Sequence, residues 1–166
     1  MFDQVNGLPL HPLAIHAAVV LVPLAGPLAV LFVIPRTRRW ARVAMPLVAV
    51  GAFVSVWVSV QTGESLEENL ESRGLLVDGS PQKALVETHS ERAETLLVMM
   101  AVFAAVAVLA ALLARNAERF HGALAIVVSV VLLVAAGAVA FQTYRVGDAG
   151  AKAVWNPDGT QDYSGG

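Results

Sequence analysis

The chain has 166 residues, no cysteine and a net charge of −2, and 57% of its residues are hydrophobic whereas only 14% are charged. Soluble domains carry roughly 25% charged residues, so a soluble core of this size would leave too much apolar surface in water. The missing cysteines exclude disulfides, thiolate nucleophiles and iron–sulfur clusters, and the slightly acidic balance argues against a nucleic-acid partner. The composition therefore predicts an integral membrane protein.

The first apolar segment, at residues 13–34, is long enough to cross a bilayer as a helix. Two histidines, His11 and His16, lie at its beginning, and Pro12 suits the first helical position. No basic residue precedes the segment, and its apolar run is longer than the core of a signal peptide, so we do not expect cleavage. Ionisable side chains in a spanning helix usually face protein or water, which makes both histidines candidate functional residues.

Three further apolar segments have the length of a transmembrane helix, at residues 43–62, 93–114 and 122–141. Ser80 and Pro81 are a typical cap and first residue of a helix, so the third helix begins before its apolar part. The predicted fold is an all-α membrane protein, a four-transmembrane-helix bundle built from two helical hairpins. We expect this domain to occupy residues 1–155 and to be followed by a disordered tail at 156–166.

Basic residues predict the orientation of the bundle. The two short connections between helices hold most of the arginines of the chain, namely Arg36, Arg38, Arg39, Arg42, Arg115 and Arg119. Because short basic loops stay in the cytoplasm, both termini and the long acidic connection are expected outside. The sequence thus predicts a multi-pass membrane protein whose N-terminus and C-terminus both lie outside.

The two predicted hairpins resemble a tandem repeat with an offset of about eighty residues. In this alignment His11 corresponds to His89, and Gln61-Thr62 corresponds to Gln142-Thr143. Such a repeat would place His11 opposite His89 at the outer face of the bundle.

Counting the helical rise of about 1.5 Å per residue sorts the polar side chains into two layers. The deeper layer is predicted around His16 and contains Gln61, Thr62 and Gln142. The layer nearer the outer surface is predicted around His11 and His89 and contains Glu64 and Asp148. The inner half of the bundle is almost purely apolar, so we expect the functional site at the outer side.

Three stretches resemble one known family: the motif Gly-Leu-Pro-Leu-His-Pro-Leu-Ala-Ile-His at residues 7–16, the Val-Glu-Thr-His stretch ending at His89, and the segment from Tyr144 to Trp155. The family is a bacterial four-helix membrane family, domain of unknown function 2231. The resemblance implies a four-helix fold in a bacterial plasma membrane, and it implies no activity. Some relatives are joined to a Rieske iron–sulfur domain, which hints at electron transfer. Asp148 stands where relatives often carry histidine, which argues against a ligand role there.

The main hypothesis for function is a b-type haem held between helices at the outer face. Imidazole pairs from different helices commonly hold haem iron, so His11 and His89 are the predicted axial ligands, with His16 as a supporting residue or alternative ligand. The predicted surroundings of the site are Gln61, Thr62, Glu64, Gln142 and Asp148. The protein would then be an electron-transfer component.

Two alternatives remain open from the sequence. One is a non-haem metal site formed by the same three histidines with Glu64 or Asp148. The other is a cofactor-free accessory or structural subunit of a membrane complex, whose histidines serve packing. Hydrolase and transferase motifs are missing from the sequence, so an enzyme is not expected. The expected partners are the lipid bilayer and redox or envelope-complex proteins, and the oligomeric state is left open.

Overall fold

The computed structural model describes residues 4–162 except 6, 117 and 119. The described residues form four long helices, α1 (Leu10–Val33), α2 (Arg38–Ser72), α3 (Pro81–Leu113) and α4 (Gly122–Trp155). A two-residue antiparallel pair, β1 (Gln4–Val5) and β2 (Leu8–Pro9), precedes α1. Each helix is long and apolar enough to cross a membrane, which confirms the predicted four-span fold.

The helices extend beyond the predicted apolar spans. α2 continues from its apolar part to Ser72, and α4 continues to Trp155. Counting apolar residues misses these extensions because a helix can continue in water after it leaves the bilayer. α1 already begins at Leu10, so the prediction that Pro12 is the first helical residue was wrong. Proline is tolerated in the first turn because the amides there have no intrahelical acceptor.

The start of α3 agrees with the sequence prediction. The hydroxyl of Ser80 accepts a hydrogen bond from the backbone N–H of Lys83 at 3.2 Å, and Pro81 is the first helical residue. The Lys83 ammonium also forms an ion pair with Glu71 at 2.9 Å and another with Asp78. These contacts fasten the α2–α3 connection over the end of the bundle.

Small residues line the contacts between helices. α1 packs closely against α2, α3 packs closely against α4, and the two hairpins meet mainly where α2 lies against α3. Ala29, Ala49 and Ala107 are completely buried and let the helix backbones approach one another. Large apolar side chains such as Leu47 and Val134 remain exposed on the outer surface, where hydrocarbon would surround them.

Two arginines hold the opposite end of the bundle together. The Arg38 guanidinium donates to the carbonyls of Phe32 and Val33 at 3.0 and 2.9 Å. It also lies 5.0 Å from the ring centroid of Phe120, near the start of α4. Arg42 donates to the carbonyl of Ala114 at 3.1 Å. These bonds satisfy carbonyls at helix ends that have no intrahelical donor.

The start of the predicted tail, at residues 156–162, is described by the structure. Residues 163–166 lie outside the described residues. Within 156–162 the Asn156 side chain accepts from the backbone N–H of Gln161 at 3.0 Å and donates to its carbonyl at 2.9 Å. Disorder of the tail and the outside location of both termini therefore stay predictions.

Candidate functional site

A cavity lies at the end of the bundle that carries the first turn of α1. Its volume is about 410 Å³, within the range of roughly 300–1,000 Å³ typical of small-molecule and cofactor sites. All four helices and the α2–α3 connection contribute to its walls. The walls are mostly apolar and include Ile15, Val60, Leu66, Leu70, Leu76 and Val86. Both His11 and His89 line this cavity.

His11 is held by α2. Its Nδ1 lies 2.9 Å from the carbonyl oxygen of Ser59 and 3.4 Å from the hydroxyl of Thr62. Because a carbonyl only accepts, Nδ1 carries the proton in this bond, which leaves the lone pair of the neutral ring on Nε2. A Cβ added at Gly63 would lie 3.1 Å from Cε1 of the ring. The glycine thus gives the imidazole room to lie against the α2 backbone.

His89 is held by α4 in the same way. Its Nδ1 lies 3.0 Å from the carbonyl oxygen of Val146, so the lone pair again belongs to Nε2. A Cβ added at Gly150 would lie 2.9 Å from both Cε1 and Nδ1 of the ring. This contact is tighter than the one at His11, and it leaves no space for a larger residue unless the ring moves.

The two hairpins therefore repeat one arrangement. In each, a histidine on the first helix bonds a carbonyl on the second helix, and a glycine follows that carbonyl by four residues. This supports the predicted equivalence of His11 and His89. The correspondence on the second helices pairs Gly63 with Gly150, so the alignment of Gln61-Thr62 with Gln142-Thr143 was displaced.

His16 lies apart from this arrangement. It is exposed, and its Nδ1 lies 2.6 Å from the carbonyl of Pro12 on its own helix. The deep polar layer predicted around His16 is therefore not formed with Gln61, Thr62 or Gln142. His16 follows His11 by five residues, which turns it about 140° around the helix axis from His11 and away from the cavity.

Of the other predicted residues, only Glu64 lines the cavity and only Thr62 contacts one of its histidines. The histidine that Thr62 contacts is His11. Gln61 is exposed and donates to Glu64 at 3.4 Å.

Gln142 is buried and donates to the carbonyl of Arg92 at 2.8 Å. Asp148 forms ion pairs with Lys152 at 2.9 Å and with Arg92 at 3.9 Å, so Gln142 and Asp148 join α3 to α4.

Four further residues contribute to the site and were not predicted from the sequence. Gly63 and Gly150 make room for the imidazoles, and Glu67 and Ser90 line the cavity. Ser90 donates to the Glu67 carboxylate at 3.0 Å and thereby joins α2 to α3 across the cavity wall. The sequence does show a glycine in the outer part of the second helix of each hairpin, close to the predicted height of the histidines, and this could have indicated the two glycines.

The described part of the chain brings together no group of three or more histidine, aspartate or glutamate side chains suited to a metal ion. What the geometry offers is a pair of oriented imidazoles on two different helices. The pair faces an apolar cavity with carboxylates on its wall.

A family model described as "Predicted membrane protein (DUF2231)" matches residues 7–161. The match covers nearly the whole chain, so the chain belongs to this family, as the three resembling stretches predicted. No curated protein and no solved structure matches the chain.

Proposed function

We propose that this protein binds one b-type haem and transfers single electrons at the membrane, with Nε2 of His11 and Nε2 of His89 as the axial ligands. One observation carries the proposal. Two imidazoles from different hairpins line the same cavity, and each is fixed through Nδ1 so that the lone pair lies on Nε2.

The donor set fits haem better than a bare metal ion. A porphyrin supplies four nitrogen ligands to its iron, so the protein has to supply only two. His11 and His89 would supply these two ligands, whereas a non-haem site would need more protein ligands than the described residues gather at one place. The apolar walls of the cavity also suit the faces of a flat aromatic macrocycle.

The protein's own residues would prepare the ligands. A hydrogen bond from Nδ1–H to a carbonyl fixes the ring plane and raises the basicity of Nε2, as in many metal-binding histidines. Ser59 and Val146 provide these carbonyls, and Gly63 and Gly150 let each ring approach the neighbouring backbone. Leu76, buried in the α2–α3 connection, helps to keep water out of the cavity.

Negative charge on the cavity wall would favour the oxidised, ferric state of a bound haem. Glu64, Glu67 and Glu94 all line the cavity. When bound, haem supplies a reversible one-electron change between ferric and ferrous iron, and nearby carboxylates stabilise the more positive state. We therefore expect a low midpoint potential for a haem with two histidine ligands.

The test is a spectroscopic comparison of histidine variants. The protein is expressed with a haem precursor and purified in mild detergent, and haem content and reduced-minus-oxidised spectra are recorded. We expect one haem per chain, and loss of the low-spin bands in His11→Ala and in His89→Ala. His16→Ala is the matched control, because His16 lies on the same helix as His11 but outside the cavity, and it should retain the wild-type spectrum.

Two results would overturn the proposal. A flat wild-type spectrum after ample haem supply, with no metal by elemental analysis, would instead favour a cofactor-free subunit. Bound zinc, copper or iron without a Soret band would favour the non-haem metal site.

A further inference from the structure

The four arginines in the α1–α2 turn and the start of α2 fall into two groups. Arg38 and Arg42 point into the bundle and bond helix-end carbonyls. Arg36 and Arg39 are exposed, and the described residues give neither side chain a hydrogen bond or an ion pair. Contacts within the bundle therefore account for Arg38 and Arg42, whereas they give no structural role to Arg36 and Arg39.

Arg36 and Arg39 stand at one end of an open groove on the outer face of α2. Trp40 follows, and the remaining wall is formed by Val43, Ala44 and Leu47. The residues from Trp40 onward follow the spacing i, i+3, i+4 and i+7, so they form one stripe along the helix. Trp40 is 61% exposed and Leu47 is 68% exposed. The groove is thus cationic at one end and apolar along its length.

The start of α2 adds positive potential at the charged end. Its first turn, Arg38 to Ala41, contains basic and apolar residues. The hydroxyl of Thr37 donates to the carbonyl of Leu31 and does not cap α2. The partial positive charge of the helix N-terminus therefore reinforces the arginines.

We propose that this groove, which we call the α2 groove, binds an anionic phospholipid. Its phosphate would lie between Arg36 and Arg39, and an acyl chain would run along Val43 and Leu47. α1 has the length of a membrane span and ends at Val33, so in a bilayer the two arginines would lie near the lipid headgroups, where tryptophan is enriched. The order along the groove, with the charged end first, then Trp40 and then the apolar stripe, matches the order of headgroup and acyl chain in a phospholipid. This inference does not depend on the haem proposal.

The experiment measures lipid affinity of the full chain in neutral detergent by native mass spectrometry. Phosphatidylglycerol is compared with phosphatidylcholine of the same acyl chains. Each arginine near an anionic headgroup contributes about a fivefold difference in affinity, so R36Q/R39Q should bind phosphatidylglycerol roughly 30-fold more weakly. The control R73Q/R115Q removes the same charge at two exposed arginines outside the groove and should bind normally.

Three results would contradict this inference. Equal affinity of the wild type for both lipids would show that the groove does not recognise the charge of the headgroup. An equal loss in R36Q/R39Q and in R73Q/R115Q would show an effect of net charge alone. Displacement of the lipid by millimolar glycerol phosphate would show an anion site in which the acyl chain has no part. Circular dichroism and gel filtration of every variant show whether the fold is kept.

Discussion

Gly150 lies so close to His89 that a Cβ at position 150 would stand 2.9 Å from both Cε1 and Nδ1 of the imidazole. The carbonyl that accepts from this ring belongs to Val146, one turn earlier on α4. The same relationship joins Gly63, Ser59 and His11 at a slightly larger separation. A glycine thus determines where each ring lies, and the carbonyl determines which nitrogen keeps its lone pair.

Replacing Gly150 by alanine should therefore push the His89 ring out of position. If the ring is a haem ligand, we expect G150A to lose most of its bound haem when haem content is measured per chain. G63A should lose less, because its new Cβ would meet the His11 ring at 3.1 Å, a distance that a small shift can relieve.

Gly147 is the matched control on the same helix, because a Cβ there would meet nothing within 4 Å. Alanine also favours helices over glycine by about 0.5–1 kcal/mol, so G147A should keep its haem and be slightly more stable. Equal haem loss in G147A and G150A would contradict the role given to the close contact.

Carboxylates on the cavity wall should tune the haem potential. Glu67 lines the cavity and accepts a hydrogen bond from Ser90, so E67Q removes a partly buried negative charge while it keeps a hydrogen-bond acceptor. We expect the midpoint potential to rise by tens of millivolts, an order of magnitude set by Coulomb interactions in a partly dry site. Glu68 is exposed and lies outside the cavity, so E68Q in the same redox titration should change little.

Arg38 should stabilise the bundle at the opposite end. It donates to two carbonyls and lies over the rings of Phe32 and Phe120. R38Q loses the charge and the reach of the guanidinium, and we expect it to unfold with a free energy lower by about 1–3 kcal/mol. Unfolding in mixed micelles measures this difference. R36Q, measured in neutral detergent without anionic lipid, should match the wild type, and equal losses in both variants would contradict the assignment.

The α2–α3 connection should loosen at low pH. The hydrogen bond from Lys83 lowers the pKa of Asp78 below its ordinary value of 3.8. The ionised Asp78 carboxylate therefore stabilises the α2–α3 connection above pH 3.8. This stabilisation is lost as the pH falls through the lowered pKa of Asp78.

Amide hydrogen exchange, corrected for its intrinsic pH dependence, tests this stabilisation. At neutral pH, D78N should raise exchange in the connection by up to about fivefold, the scale of an exposed ion pair. The difference from the wild type should disappear once Asp78 is protonated. A difference that persisted at low pH would contradict a role of the charge.

Orientation can be tested cleanly because the chain has no cysteine. Single cysteines at Gly74, in the α2–α3 connection, and at Thr160, in the tail, should react with a membrane-impermeant maleimide on intact cells. A cysteine at Arg115 should react only after the membrane is opened, since short basic loops stay inside. The reverse pattern would place the cavity on the cytoplasmic side.

The sequence predicts the features of this fold that depend on local chemistry. Four apolar segments, the Ser80 cap with Pro81, and the pairing of His11 with His89 follow from hydropathy, capping rules and repeat comparison. The ends of α2 and α4 could not be obtained by counting apolar residues, because both helices continue beyond the apolar part to wall the cavity.

In the candidate site, the direction of a side chain around its helix could not be predicted from the sequence. Counting helical rise gives the height of His16 but not its direction around the helix, and the direction sends it to the exposed side of α1. The glycines at 63 and 150 are visible in the sequence, yet their role depends on a histidine from another helix. Such a role becomes evident only when the helices are packed.

Near-infrared magnetic circular dichroism of the oxidised, purified protein identifies the side chains that hold the haem iron. The charge-transfer band of low-spin ferric haem reports which pair of side chains holds the iron. We expect the band of a bis-histidine haem, and we expect this band to be lost in His89→Ala but kept in His16→Ala. A histidine–methionine band, a water-ligated high-spin spectrum or a protein without haem would contradict ligation by His11 and His89.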